Sequence, residues 1–233
     1  MVRVTSIRSF WDEKAKENPY WFVSSAKPYG APRDLEEFWA SGHNIWSQLK
    51  SSTGYEPKPS HRVAEIGCGV GRLSRVIAPE VHRLDSFDIS DEMLAIAKQA
   101  GLPNVVFHRA EGFGLSQLAD SSADLVLAYC VFQHLPSTEA LRVYLQDMVR
   151  VAKPGAAIAF SLVPRTMTDN LMPLLRARAF LREKLSRNGP RGVYRKEWVG
   201  IRPQSVTVHR VAPISLRQVD LFGDQWLFFG RKP

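Results

Sequence analysis

The stretch RVAEIGCGVGRLS, residues 62–74, decides the fold. It begins as a short apolar run and continues into three closely spaced glycines, Gly67, Gly69 and Gly71. Glycines let the backbone turn tightly and approach a ligand closely, and a helix after such a turn offers free N–H groups. The spacing differs from the G-x-G-x-x-G turn that packs a pyrophosphate, because the next position is Arg72. The stretch therefore predicts a strand, a ligand-binding turn and a helix.

Strands and helices alternate on the carboxyl side of this turn. Short apolar runs bounded by turn residues predict strands, and apolar residues at helical spacing predict helices. The predicted strands are Arg62–Ile66, Leu84–Ile89, Val105–His108, Ala123–Tyr129 and Ala156–Leu162. The predicted helices are Arg72–Ala78, Asp91–Ala100 and Leu141–Val151. This alternation indicates an α/β fold with a parallel sheet and helices on both faces.

The two ends of the chain depart from the alternation. Residues 1–59 are rich in aromatic side chains, and Asp34–Leu49 has helical spacing, so we expect a helical lid. The strand-like runs Ile214–Leu221 and Gln225–Gly230 are joined by Phe222-Gly223-Asp224, a connection that permits only an antiparallel hairpin. The whole is predicted to be one seven-stranded, mostly parallel domain. Its parts are a lid (1–59), a core (60–162), an insert (163–213) and the terminal hairpin (214–233).

Composition narrows the class of protein. The chain has 233 residues, of which 45% are hydrophobic, as in a folded globular domain. It has no apolar run long enough for a transmembrane helix, and its first residues lack the pattern of a secretory signal. The two cysteines, Cys68 and Cys130, follow predicted strands, which favours reduced thiols in a cytoplasmic protein over a disulfide framework. No spacing of His, Asp or Glu suggests a metal site.

A second acidic position follows the glycine turn. Asp88 stands 17 residues after Gly71, at the end of the second predicted strand. A carboxylate there can accept hydrogen bonds from both hydroxyls of a ribose, although it can also cap the helix that follows Ser90. The first interpretation is favoured because open α/β sheets bind ligands at the carboxyl ends of their strands.

Five segments together resemble the motifs of class I, Rossmann-like methyltransferases that use S-adenosyl-L-methionine (SAM). In chain order they are residues 64–74, 87–94, 107–115, 124–135 and 149–155. Five motifs in the right order are far more specific than a single glycine turn. The likeness covers about residues 60–162, and the terminal hairpin agrees with the last two strands of that family. The resemblance implies an enzyme that binds SAM and leaves S-adenosyl-L-homocysteine (SAH) as product.

The resemblance also implies which residues hold the methionine end of SAM. Gly67 and Gly69 would line the methionine portion, and Glu65 would orient the turn or bind the amino group. Tyr129 would lie near the sulfonium. The implied contacts in the turn are Glu65, Gly67, Cys68, Gly69 and Gly71.

The adenosine end is assigned in the same way. The implied contacts are Asp88 to the ribose, Ile89 and Met93 to the adenine ring, Glu111 to its exocyclic amine, and Phe113 to the edge of the ring, with Gly112 as a further cofactor contact. Glu111 replaces the usual Asp of the family and Ala110 its usual Gly, so the longer acid reaches differently. Met93 and Phe113 are equally interpretable as core residues.

His134 is the candidate general base. Methyl transfer from a sulfonium is an in-line displacement, in which the protein mainly positions the nucleophile and excludes water. A base is needed only when the acceptor is protonated at neutral pH. His134 follows the fourth strand, and an ordinary imidazole pKa suits the task. The alternative is a structural histidine that packs the turn before Pro136.

The positive charge of the chain is concentrated in one segment. The net charge is +8, and residues 165–202 contain ten Lys or Arg against three Asp or Glu. Within them, Leu171–Leu185 is predicted to be a basic amphipathic helix. Such a helix suits a solvated cap over a small-molecule pocket, an anionic acceptor, a membrane surface or RNA. The interspersed leucines favour a cap in which Leu174 and Leu181 pack inward, and no aromatic stacking platform supports nucleic acid.

Three classes of function remain open from the sequence. The leading one is a methyltransferase for the O or N atom of a small molecule. In one variant of this hypothesis the small molecule is anionic. The second is a methyltransferase for RNA or protein that uses the basic segment. The third is a SAM-binding protein without catalysis, because one fold can host several functions.

Overall fold

The computed structural model describes residues 4–31, 34–163, 172–185, 189–193, 195–221 and 225–233. The strands are β1 (Arg62–Ile66), β2 (Arg83–Asp88), β3 (Val105–Arg109), β4 (Ala123–Ala128), β5 (Ala152–Leu162), β6 (Arg217–Leu221) and β7 (Gln225–Arg231). The helices are α1 (Val4–Glu17), α2 (Pro19–Val23), α3 (Leu35–Thr53), α4 (Ser74–Ile77), α5 (Asp91–Lys98), α6 (Thr138–Val151), α7 (Met172–Leu185), α8 (Lys196–Val199) and α9 (Ser205–Val211). None of these described helices is both long and apolar enough to cross a bilayer.

The seven strands form one sheet in the order β3-β2-β1-β4-β5-β7-β6. Strands β1 to β5 are parallel to one another, and β7 runs antiparallel to both β5 and β6. The α/β fold with a mostly parallel sheet and a C-terminal antiparallel pair is therefore confirmed. Because β2 lies on one side of β1 and β4 on the other, the strand order reverses between β1 and β4. Open α/β sheets bind ligands beside the carboxyl ends of the strands at such a reversal.

The central strands are buried on both faces of the sheet. Val63 and Leu125 belong to a core cluster on one face, which α3 and α4 cover. Their neighbours Ala64 and Val126 belong to the cluster on the other face, which α6 and α9 cover. This follows from the two-residue period of a strand, and it explains why these strands are nearly continuous apolar runs in the sequence.

Capping side chains correct the predicted ends of two helices. α6 begins at Thr138 and not at Leu141, because the Ser137 hydroxyl accepts the N–H of Ala140. α3 continues past Leu49 to Thr53, where Gly54 takes the left-handed conformation with φ 64° and ends it. The loop predicted to begin at residue 51 therefore begins later.

Two other predicted boundaries also differ. α4 has only Ser74–Ile77, because Arg72 and Leu73 still belong to the turn, and a 3-10 turn follows it. β5 begins at Ala152, four residues earlier than predicted, because Ala152 pairs with Ala123 across a register shift. Other strand ends differ by one to three residues, β6 the most. Of the remaining predictions, Leu171 and the hairpin turn 222–224 lie outside the described residues.

The inward packing predicted for the leucines of α7 is wrong. Leu174 is 66% exposed, Leu181 58% and Leu185 86%. Helix α7 turns a different side toward the protein, where Glu183 accepts a hydrogen bond from the backbone N–H of Gly192 at 2.6 Å. The polar side of this helix is thus the one that faces the chain.

Asp85 of β2 is the most strongly paired buried charge among the described residues. Its carboxylate is fully buried and accepts hydrogen bonds from Arg62 at 2.6 Å, Arg83 at 2.9 Å and His108 at 2.9 Å. Burial alone would raise the pKa of Asp85, but the bonds from His108, Arg83 and Arg62 outweigh it and hold the pKa well below its ordinary value. The group joins β1, β2 and β3 through side chains of all three strands.

Replacing Asp85 with Ala is expected to lower the free energy of unfolding by about 3 kcal/mol, because it leaves three donors without their acceptor. Urea unfolding at pH 7 measures this. Asp91→Ala is the control, since the surface pair of Asp91 with Arg109 at 3.5 Å is worth less than about 1 kcal/mol. Equal effects of the two substitutions would contradict a structural role for the buried group.

Candidate active site

A cavity lies at the carboxyl ends of β1, β2 and β4, and its empty space, including the part that is open to solvent, is about 1070 Å³. Its floor is the glycine turn and its roof is α1 with the end of α2. Of the residues predicted to contact a cofactor, those in its lining are Glu65, Gly67, Cys68, Gly69, Asp88, Ile89, Met93, Phe113 and Tyr129. His134 also lies in the lining. The structure thus brings together residues from three strands at the edge where the topology predicts a ligand.

The glycine turn is closely packed from both sides. Gly67 and Gly69 have φ of 70° and 53°, which L side chains rarely adopt. A Cβ on Gly67 would collide with Val131, and one on Gly69 would lie 2.8 Å from Val23 of α2. The third glycine, Gly71, faces α5 and not the cavity. The first two glycines therefore create the space at the end of β1.

Asp88 joins the glycine turn to helix α5. One carboxylate oxygen accepts the N–H of Gly69 at 2.8 Å, and the other accepts the N–H of Ser90 at 2.9 Å. Burial raises the pKa of Asp88, while these backbone bonds oppose the rise. Each oxygen keeps a further lone pair for a ligand hydroxyl. Both interpretations of Asp88 are therefore compatible, because the carboxylate supports the start of α5 and lines the cavity.

Glu65 is buried beneath the turn. The same carboxylate oxygen accepts the hydroxyls of Ser74 at 2.6 Å and Ser86 at 2.8 Å. Burial raises the pKa of Glu65 to about 7, and the two hydroxyls act in the opposite direction. A cation bound beside it would favour the charged form of the group.

Helix α1 is fastened over the cavity by its polar side chains. Asp12 accepts the Ser90 hydroxyl at 2.6 Å, and Arg8 donates to the carbonyl of Ala110 at 3.3 Å. Between them, Ile7 and Trp11 reach into the lining. The predicted lid of residues 1–59 needs correction, because only α1 and α2 cover the cavity. Helix α3 packs against the sheet as part of the core.

His134 lies in the cavity lining among aromatic rings. Its Nδ1 donates to the carbonyl of Trp198 at 2.6 Å, and the ring meets Trp11 edge-on at 5.0 Å between centroids. Since a carbonyl can only accept, Nδ1 carries the proton and Nε2 is an acceptor. Burial lowers the pKa of His134 to about 4, against the bond to Trp198. The expectation of an ordinary imidazole pKa is therefore wrong.

Besides Gly71, two predicted site residues lie outside the cavity. The Glu111 side chain is 71% exposed and lies 3.6 Å from Arg109 on the edge strand β3. The carbonyl of Gly112 accepts the hydroxyl of Tyr144 at 3.3 Å, outside the cavity lining. Arg109 draws Glu111 toward solvent, so the structure does not place this carboxylate where an adenine amine would need it. Phe113 reaches the cavity instead, together with Ala110.

Arg72, Cys130 and Trp11 are among the lining residues that were missed from the sequence. Arg72 is buried beside the turn, donates to the Ser41 hydroxyl at 3.3 Å and lies over the ring of Phe38. Its place directly after the last glycine is a signal that could have identified it. Cys130 has φ 59°, a strained value for a residue other than glycine, and Trp11 is distant in sequence. No local pattern marks these two residues.

Comparison with known proteins supports the same class. Residues 64–160 match the family described as a methyltransferase domain. The ubiquinone biosynthesis O-methyltransferase of Paracidovorax citrulli (strain AAC00-1) is 23% identical over 173 residues, which are 66% of this chain and 71% of that relative.

Two solved structures share the fold over nearly the whole chain. The magnesium protoporphyrin IX methyltransferase of Synechocystis PCC 6803, with bound SAH, has a TM-score of 0.64 at 16% identity, covering 98% of this chain and 99% of that one. The N-methyltransferase NodS of Bradyrhizobium japonicum WM9, in complex with SAH, has a TM-score of 0.64 at 16% identity, covering 97% and 98%. At this identity the likeness shows the fold.

Asp88→Asn is expected to weaken SAM binding by about 1.5–3 kcal/mol, the value of hydrogen bonds to a charged group, while the fold persists. The amide keeps one acceptor oxygen but replaces the other with a donor. Calorimetric titration measures the affinity, and Asp91→Asn on the exposed first turn of α5 is the control. Wild-type affinity in the Asp88 variant would exclude Asp88 from the ribose site.

His134→Gln is expected to flatten the acid side of the stability profile. The folded pKa of about 4 lies below the ordinary 6.5, so the unfolded chain takes up the proton first and wild-type stability falls from pH 6.5 toward pH 4. The variant should lose on the order of 2 kcal/mol less over this range. Urea unfolding at several pH values measures this, with exposed His209→Gln as control. Parallel profiles of wild type and the His134 variant would contradict the assignment.

The match to a methyltransferase domain begins in β1 and ends in β5, so it covers the part of the sheet that carries the glycine turn and Asp88. The same part contains the five sequence motifs. The antiparallel β7 completes a sheet that solved methyltransferases share along their whole length. From these agreements we conclude that the chain is a Rossmann-like, SAM-dependent methyltransferase.

Proposed function

We propose that this enzyme methylates an O or N atom of a small molecule held under α1, between the glycine turn and the aromatic residues Trp11 and His134. One observation carries the proposal: a single cavity contains the glycine turn, Asp88, Trp11 and His134 in its lining. Cofactor and acceptor would then share one covered space, as a transfer that excludes water requires. The name of the Paracidovorax relative supports an oxygen acceptor. The two free thiols support a cytoplasmic location.

The lining fits the chemical groups of SAM. Asp88 offers acceptors for the ribose hydroxyls, and Ile89 and Met93 offer an apolar surface for adenine. Glu65 lies beneath the turn with a carboxylate that a nearby ammonium would ionise. When bound, SAM supplies a methyl group on a positively charged sulfur, which is already a good leaving group. Arg72 adds a buried cation suited to a carboxylate.

The residues at the other end would orient the acceptor. Nε2 of His134 can accept a hydrogen bond from a hydroxyl or an amine, and Trp11 provides an apolar wall. With a pKa of about 4, His134 is neutral and weakly basic at pH 7. Its role is then to hold the acceptor proton and aim the lone pair of the acceptor, more than to remove the proton beforehand. Tyr129 and Cys130, at the end of β4, complete this part of the lining.

The cover over the cavity disfavours a polymer as acceptor. Helix α1 is bonded to Ser90 and to the carbonyl of Ala110, which follow the neighbouring strands β2 and β3 at the edge of the cavity. A nucleotide of an RNA chain or a side chain of a protein would need a lasting opening in that cover, whereas a small molecule can be enclosed. An assay of methyl transfer distinguishes the hypothesis of a SAM-binding protein without catalysis from the small-molecule and the RNA or protein methyltransferase hypotheses.

We expect the purified enzyme to convert SAM to SAH with at least one compound of a panel of phenols, catechols, carboxylates and amines, and not with bulk RNA or denatured protein. SAH is quantified by mass spectrometry. Asp88→Asn should lower turnover at limiting SAM, and Asp91→Asn should not. Methylation of RNA alone would favour the second hypothesis. Tight SAM binding without transfer to any of the compounds would contradict the proposal and favour the third.

A further inference from the structure

Helix α7 presents an apolar stripe to solvent. Leu174, Leu181 and Leu185 are exposed and, with 3.6 residues per turn, lie within one narrow arc of the helix surface. From the first leucine to the last the stripe is about 16 Å long. Soluble domains rarely expose contiguous aliphatic side chains of this kind unless the surface binds something. The opposite side of α7 is turned inward. There the backbone carbonyl of Glu183 accepts a hydrogen bond from the Arg191 guanidinium, and the Glu183 carboxylate accepts one from the N–H of Gly192.

Cations border this stripe. Arg178 lies on one edge of the arc and Lys184 on the other, and both are exposed. By sequence, α7 contains four Lys or Arg and one Glu. Long basic side chains can keep their charge at the level of phosphate groups while their stems follow an apolar surface. A narrow aliphatic stripe between two basic edges is the pattern of a helix that lies in the headgroup region of a bilayer.

We propose that α7 docks the enzyme on an anionic phospholipid bilayer, with its leucine stripe in the headgroup region and Arg178 and Lys184 at the phosphates. This surface lies apart from the cavity, and the proposal does not rest on the identity of the methyl acceptor.

Charge favours an anionic bilayer over a second copy of the chain or RNA as the partner of this surface. A second copy of α7 would bring basic edges against basic edges, and the whole chain carries a net charge of +8, so self-association through this face is opposed. RNA would use the cations but would leave the leucines exposed, because aliphatic side chains offer no stacking surface for bases. An anionic bilayer satisfies both the apolar stripe and its basic borders.

Flotation with lipid vesicles tests the proposal on the full chain. The purified protein is mixed with vesicles of phosphatidylcholine alone, or with about 30 mol% phosphatidylglycerol added, at low salt and at about 0.5 M NaCl. We expect binding to the phosphatidylglycerol vesicles, little binding to phosphatidylcholine alone, and a marked loss of binding at high salt.

Two double variants separate the contribution of the leucines to vesicle binding from that of the basic residues. Leu181→Asp with Leu185→Asp should weaken vesicle binding at least about tenfold, since two buried leucines are lost. Arg178→Gln with Lys184→Gln should weaken binding and reduce its salt dependence. The matched controls are Leu35→Asp with Val206→Asp, which are exposed apolar residues elsewhere, and Lys58→Gln with Arg210→Gln. Both controls should bind vesicles like the wild type, and all variants should keep the wild-type affinity for SAM.

Three results would overturn the proposal. The first is no preference of the wild type for phosphatidylglycerol vesicles. The second is equal vesicle binding by the leucine variant and its control. The third is binding to another partner in place of vesicles. This would be a wild-type dimer in sedimentation experiments that is a monomer in the leucine variant, without any vesicle binding, or RNA binding that depends on Arg178 and Lys184 but not on the leucines.

Discussion

The carboxylate of Asp88 connects the glycine turn to the start of α5 and so fixes their relative positions. It accepts one N–H from the glycine turn and one from the start of α5, so the end of β1 and the end of β2 are joined through a single side chain. Gly69 can present its N–H in this direction only because it takes a left-handed conformation. The shape of the cavity floor follows from this pair of bonds. Above it, α1 is fastened to Ser90, the residue whose N–H Asp88 accepts.

The central sheet could be predicted from sequence because its strands are buried on both faces. A residue such as Val63 or Leu127 must be apolar wherever helices cover the sheet, and β1 accordingly has its predicted bounds. Positions at the strand ends follow from the same pattern, which is why Asp88 and His134 could be assigned to the cavity edge. Helix ends depend on single side-chain bonds, such as that of Ser137, and were therefore less predictable.

Other features depend on contacts between distant parts of the chain. Trp11 meets His134 although more than a hundred residues separate them, and no local pattern encodes that pairing. Burial lowers the pKa of His134, and the carbonyl of Trp198, which belongs to the insert, acts in the opposite direction. Glu111 follows the motif in sequence, yet Arg109 on the edge strand holds it outside the cavity. In α7 the spacing of the leucines predicted the helix, but only the packing of Glu183 shows which side faces the protein.

Two parts of the insert between β5 and β6 differ in how they contact the rest of the enzyme. Around α8 it packs behind the lining residue His134, where Gly200 approaches the backbone of Gln133 and His134 so closely that a Cβ would collide with them. In α7 it turns outward. The same stretch of chain therefore contributes both support for a lining residue and an exposed surface.

The bonds that hold α1 have a consequence for the shape of the site. Asp12 binds the Ser90 hydroxyl and Arg8 binds the carbonyl of Ala110, so Ile7 and Trp11 line the cavity only while α1 keeps this position. A helix far in sequence from the glycine turn, Val4–Glu17, therefore completes a lining whose other members lie mostly at the ends of the strands.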